Sequence, residues 1–170
     1  MYERSLIKKA KFPRSIIPLA IVFSNFINLV IAMIILTIPI FFLKTMTVGN
    51  AYYILISFVL LIAFTSGFCL LSSALNVKFR DINFFIQAFI MFWFYATPIV
   101  YPLSIVPYKY YWLWRFNPMT SVIQFLQHSF LNMPLPGTAM ILINSGITLI
   151  TLVLGIIVFN KESKNFDDWV

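Results

Sequence analysis

The stretch NVKFRDINFFIQAFIMFWFYATPIVYPLSIVPYKYYWLWRFNP, residues 76–118, decides how this chain folds. A charged elbow, Lys78-Phe79-Arg80-Asp81, opens onto 27 consecutive uncharged residues, Ile82 to Tyr108. A helix crosses the hydrocarbon core of a bilayer in about 20 residues, so the run is long enough to span. Its far end, however, carries Pro98, Pro102 and Pro107, then an aromatic cluster, then Asn117-Pro118. Proline removes a backbone donor and breaks helices. The backbone there is expected to do something other than leave the membrane, a shape that points to a transport pathway.

Working outward, the whole chain is of the same kind. Of its 170 residues 61% are hydrophobic and 10% charged, against about 25% charged in soluble domains. This composition defines an integral membrane protein. The formal charge of +7 does not indicate a nucleic-acid partner. The basic residues flank apolar runs, where lipid headgroups and topology rules account for them. Cys69 stands alone in an apolar run, with no second cysteine for a disulfide or a metal site. The basic segment Met1–Arg14 is not the start of a signal peptide, because the apolar run after it is far longer than a signal h-region and lacks a small-x-small cleavage site.

Cutting the chain at its charges leaves uncharged blocks at Ser15–Leu43, Thr45–Val77, Ile82–Tyr108 and Phe116–Asn160, the last broken by Pro134-Leu135-Pro136-Gly137. The expectation is an all-α integral membrane fold forming a single membrane domain over 1–170. It has four transmembrane helices near 17–43, 51–75, 83–101 and 139–159, a cytoplasmic segment 1–14, an outer segment 103–135 and a cytoplasmic tail 161–170. With four spans, both termini and the elbow at 76–82 share one side. That side holds Arg4, Lys8, Lys9, Lys11, Arg14, Lys78, Arg80, Lys161 and Lys164, and the other holds Lys44, Lys109 and Arg115. The excess marks the first side as cytoplasmic. Making 103–135 a fifth span would weaken the asymmetry.

The segment 103–135 must then enter from outside and return there. Irregular backbone survives at membrane depth only where protein or a water-filled cavity satisfies it. Two short re-entrant helices fit, one near 103–114 and one opening after Pro118 and running to about Leu131, with hydroxyl capping at Met119-Thr120-Ser121. The alternative is a helix lying flat in the interface, with Tyr108, Tyr110, Tyr111, Trp112 and Trp114 as an aromatic belt.

Four pieces in order, SLIKKAKFPR at Ser5–Arg14 with Ile17-Pro18, then Phe79-Arg80-Asp81, then TPIVYP at Thr97–Pro102, then Asn117-Pro118-Met119, resemble the permease subunit of type-2 ABC exporters. The branch most similar exports bacterial polysaccharides, O-antigen or teichoic acids. The resemblance covers nearly the whole chain. It implies a homodimer or pseudo-dimer in the inner (plasma) membrane, engaged by a cytoplasmic ABC ATPase, with two re-entrant helices between the last two spans. Such permeases carry an N-terminal interface helix and two spans before the SLIKKAKFPR phrase, so the chain is expected to correspond to their C-terminal two-thirds.

The candidate functional residues follow. Ser5, Leu6, Ile7, Lys8, Lys9, Phe12, Pro13 and Arg14 are the candidate ATPase-coupling segment, or a basic flank that sets orientation. Arg80 and Asp81 are a candidate cytoplasmic gate; in the plainer reading Asp81 is the N-cap of the helix beginning at Ile82. Trp93, Tyr95 and Tyr101 are candidates for a translocation path, since aromatic faces stack on sugar C–H faces without gripping any one sugar. Pro98, Pro102, Asn117 and Pro118 form the expected re-entrant turn. His128, with no second ligand-type residue near it in sequence, is expected to be a hydrogen-bonded polar residue. Asn25, Asn28, Gln87 and Asn144 are expected to bond across helices.

No catalytic residue, metal site or cofactor is indicated. The chain has no Gly-Lys pair, hence no GxxxxGK[ST] phosphate loop, so ATP-driven transport needs a separate ATPase. The spans carry no charged residue, which disfavours ion-coupled carriage. The reading is therefore a permease subunit that exports a lipid-linked polysaccharide, its other partners being membrane lipids and a second protomer. The alternatives are an exporter of drugs or lipids, or a truncated fragment that transports nothing.

Overall fold

A computed structural model describes residues 15–42, 48–79 and 81–163. Among them there is no strand. The chain runs through α1 (Ile16–Phe42), α2 (Tyr52–Lys78), α3 (Ile82–Ala96), α4 (Tyr111–Arg115), α5 (Pro118–Leu131) and α6 (Thr138–Glu162), with single 3₁₀ turns at Val48–Asn50, Leu103–Ile105 and Tyr108–Tyr110. Lipid offers no hydrogen bonds, so uncharged runs of this length satisfy their backbone internally as helices. Pro18 falls in the first turn of α1, where its missing N–H costs nothing.

Three helices, α1, α2 and α6, are long and apolar enough to cross a membrane. The helix α3 is shorter than the span 83–101 expected from the sequence. It stops at Ala96 after 15 residues, a rise of about 22 Å against a hydrocarbon core of about 30 Å. The cause is Pro98, which drives the preceding residue out of the helical region; Thr97 is extended at φ −99°, ψ 137°. The continuous helix expected at 103–114 is likewise broken into two 3₁₀ turns and the five-residue α4. Pro107 holds Val106 extended at φ −73°, ψ 127° and divides the segment. The helix expected from Pro118 to Leu131 forms over those residues.

α2 is the centre of the packing, with α6, α5 and α1 against it. Gly67 and Gly155 make the α2–α6 contact. A Cβ on Gly155 would lie 2.4 Å from the Gly67 carbonyl oxygen, and one on Gly67 would lie 2.6 Å from the Leu152 backbone. Two helices approach backbone to backbone in a membrane where small residues permit it. Beyond this crossing Leu70, Ala74 and Phe159 form an apolar cluster, with Leu19 of α1 and Val158 packed against it. The pairings of Gly67 with Gly155 and of Leu70 with Phe159 set α2 and α6 parallel.

α1 and α3 keep most of their apolar side chains exposed, as helices that face lipid or a partner do. Asn25 bonds to the Ile21 carbonyl of its own helix rather than across helices, and Asn28 and Gln87 are exposed. The cross-helix bond expected of Asn144 is present, to Ser121 of α5.

Gly155→Ala is expected to push α2 and α6 apart and destabilise the fold by about 1–3 kcal/mol. Gly146→Ala, whose Cβ would meet nothing within 4 Å, leaves stability unchanged. Thermal melting of the two purified variants in detergent checks the difference.

Candidate functional site

The site is built where α3 ends and α5 begins. Once Pro98 has stopped α3, the last carbonyls of the helix need partners, and Asn117 supplies one. Its Nδ2 donates to the Ala96 carbonyl at 3.3 Å and to Thr97 Oγ1 at 3.0 Å. Its Oδ1 accepts from Trp93 Nε1 at 2.9 Å and from the Met119 backbone N–H at 3.1 Å. All the donors and both lone pairs of one carboxamide are thereby used. The bond to Met119 is the N-cap of α5, with Pro118 at the first helical position. The capping role expected of Thr120 and Ser121 therefore belongs to Asn117, and both hydroxyl residues are buried inside the packing instead.

A second tie runs from Gln127 Nε2 to the carbonyl of buried Pro98 at 3.2 Å. A third arranges the aromatics. Trp114 Nε1 donates to Tyr101 Oη at 2.9 Å, and Tyr101 in turn donates to the Tyr95 carbonyl at 3.1 Å. Pro102, extended at φ −74°, ψ 144°, leads into the turn Leu103–Ile105. Between these ties lies an open groove of about 440 Å³, lined by Phe89, Phe92, Trp93, Tyr95, Trp114 and Asn117 among others. Phe89 stands edge-on to Trp93 with ring centroids 4.7 Å apart.

Trp93, Tyr95, Tyr101, Pro98, Pro102, Asn117 and Pro118, chosen separately from the sequence, thus share one end of α3. The side chain of Tyr95 is 65% exposed. Asp81 lies at the opposite end of α3, exposed, and makes no side-chain cap; the turn is closed by backbone bonds from Ile82 to Phe79 and from Phe84 to Asp81. Arg80 and the coupling segment Ser5–Arg14 lie outside the described residues. His128 places Nδ1 against the Met133 carbonyl and its ring edge-on to Tyr53.

Apart from the cross-helix bond of Asn144, a set of polar contacts was not expected from the sequence. Ser57 of α2 donates to the Val122 carbonyl at 2.9 Å. Asn144 of α6 donates to Ser121 Oγ at 2.6 Å. Ser129 donates to the Asn50 carbonyl, and Asn50 Nδ2 to Asn132 Oδ1 at 3.1 Å. Asn132 closes α5 at φ 52°, ψ 29°, a left-handed conformation that asparagine tolerates better than most residues. The signal available in the sequence was the recurrence of Thr120-Ser121, Gln124 and Gln127-His128 at helical spacing along one arc of α5.

The described residues form three apolar, membrane-length helices and a shorter, broken α3 whose end is tied by hydrogen bonds to Asn117 at the start of α5. The chain belongs to the ABC-2 type transporter family, whose description matches residues 3–131, and it is a multipass membrane protein of the permease kind. It is 32% identical over 163 residues to the O-antigen export system permease protein RfbA of Klebsiella pneumoniae, covering 95% of this chain and 62% of that protein. It is 27% identical over 171 residues to the RfbA permease of Myxococcus xanthus, covering 96% of this chain and 64% of that one. The chain therefore spans less than two thirds of the length of these relatives.

Asn117→Ala would leave Trp93 Nε1 and the α3 terminus without partners and uncap α5. The expected loss is about 1–3 kcal/mol. Tryptophan fluorescence should shift to the red and the melting temperature should fall.

Proposed function

We propose that this chain forms part of the transmembrane permease of an ATP-driven ABC exporter of a lipid-linked polysaccharide such as O-antigen. The observation that carries this reading is the aromatic groove at the end of α3. Trp93, Tyr95 and Trp114 line it, and the hydrogen bonds of Asn117 and Tyr101 hold its walls. Aromatic faces offer apolar area at low conformational cost, which suits a sugar chain passing through many registers. Likeness to two O-antigen export permeases supports the same cargo; no observation favours a drug or lipid cargo.

In this proposal both termini and the 76–82 elbow face the cytoplasm. α3 crosses as a short span completed by the tied segment 97–102, and α4 and α5 re-enter from the outer side. Ser5–Arg14 couples to a separate cytoplasmic ATPase, the chain itself having no phosphate loop. Arg80 and Asp81 guard the cytoplasmic mouth. The exposed face of α3, with Phe84, Phe85 and Phe92 each more than 70% exposed, meets a second protomer across the path.

Two outcomes test this reading. Tyr95→Ala keeps the backbone carbonyl that Tyr101 uses, so it should lower polysaccharide export several-fold at unchanged melting temperature. Unchanged export would remove the groove from the path. Deleting residues 5–14 should abolish co-purification with the ATPase while leaving membrane insertion intact.

A further inference from the structure

Among the described residues, three buried polar atoms have no hydrogen-bond partner: Thr120 Oγ1, Gln124 Oε1 and Asn144 Oδ1. Their residues are 0%, 9% and 1% exposed. They belong to one place. Thr120 and Gln124 are a turn apart on the same side of α5, and Ser121 between them accepts from Asn144 of α6. Counting back about ten residues from the Gly67–Gly155 crossing brings Ser57 of α2 level with Asn144. Ser57 bonds to Val122, the next residue along α5. The first turns of α5 are therefore seated between α2 and α6 at this level. Turning the Asn144 carboxamide over changes which atom meets Ser121 and leaves the other unmatched.

An unmatched buried polar group costs about 1–3 kcal/mol, and three in one seam call for a shared ligand. Two of the atoms are carboxamide oxygens, which only accept, and the third is a hydroxyl, which donates or accepts. With Asn144 as placed, the ligand donates at least two hydrogens or carries positive charge; with the carboxamide turned over it must donate to Gln124 Oε1 and accept from Asn144 Nδ2, which a cation does not do. Across the described residues of α2, α5 and α6 the only carboxylate is Glu162, at the far end of α6. A bare cation buried without a counter-charge is far more costly than a neutral guest. Water fits, with two to four polar partners available.

We propose that Thr120, Gln124 and Asn144 bind buried water in the α2–α5–α6 seam. The wet level ends at the crossing, where the Gly67 and Gly155 backbones touch, and the Leu70–Ala74–Phe159 cluster beyond it is dry. The water gives α5 hydrogen bonds that can be remade when it shifts, while the glycine contact keeps the seam closed to solvent.

Water-edited solid-state NMR of the intact permease in bilayers tests this. Polarisation from water is expected to reach the Gln124 and Asn144 side-chain carboxamides but not the Leu70 and Ala74 methyls. In a Thr120→Val, Gln124→Met double variant the Asn144 signal should fall to the level of Leu70. The proposal is overturned if Gln124 and Asn144 in the unaltered protein are as dry as Leu70. It is equally overturned if Ala74 is as wet as they are, or if their shifts change when sodium replaces choline in the buffer, which would make the guest a cation.

Discussion

Gly67 and Gly155 bring the backbones of α2 and α6 into contact, and α5, to which the end of α3 is tied, is seated in the seam beside that crossing. With no side chain at either position the two axes approach as closely as helices can. On one side of the contact the seam closes over Leu70, Ala74 and Phe159. On the other it opens and takes in α5, a helix of only 14 residues that is more thoroughly buried than any spanning helix. Hydrophobic drive between helices is weak in lipid, so such an arrangement rests on close packing and polar contacts, and the seam supplies both.

The second organising element is the encounter between a proline and an asparagine about twenty residues apart. Pro98 ends α3 and frees its last carbonyls; Asn117 collects the Ala96 carbonyl, the Thr97 hydroxyl and the Trp93 indole while capping α5. A broken helix end away from water must be re-satisfied by protein: Asn117 takes the Ala96 carbonyl, Thr97 those of Trp93 and Phe94, and Tyr101 that of Tyr95. The groove is a consequence, since Asn117 holds Trp93 on one side of it and Tyr101 holds Trp114 on the other. The same hydrogen bond holds the end of α3 and a wall of the groove, so altering the Asn117–Trp93 pair disturbs both.

Much of the helix pattern was legible. The uncharged blocks predicted α1, α2 and α6 to within a few residues, because in lipid an uncharged run has no alternative to internal hydrogen bonding. The helix from Pro118 to Leu131 was legible from its proline start and the Pro134 stop. α3 ends at Ala96, five residues before the end expected from span length, because Pro98 forces the residue before it out of the helix whatever the length of the apolar run. The 103–114 helix failed for the same reason at Pro107. Asp81 looked like a cap by residue type, yet a cap needs a side-chain geometry that its helical φ and ψ do not provide.

The sequence by itself determined that this is a helical membrane chain, where its long helices run, and that its third helix breaks near an aromatic cluster. These are local matters: hydropathy, charge and proline act on the residues next to them. Only the tertiary structure decided that Asn117 rather than Thr120 or Ser121 caps α5. It alone decided that Gly67 meets Gly155, and that Thr120, Gln124 and Asn144 face a shared buried level. Those choices depend on which distant side chain arrives within about 3 Å, a fact of packing that no stretch of sequence records.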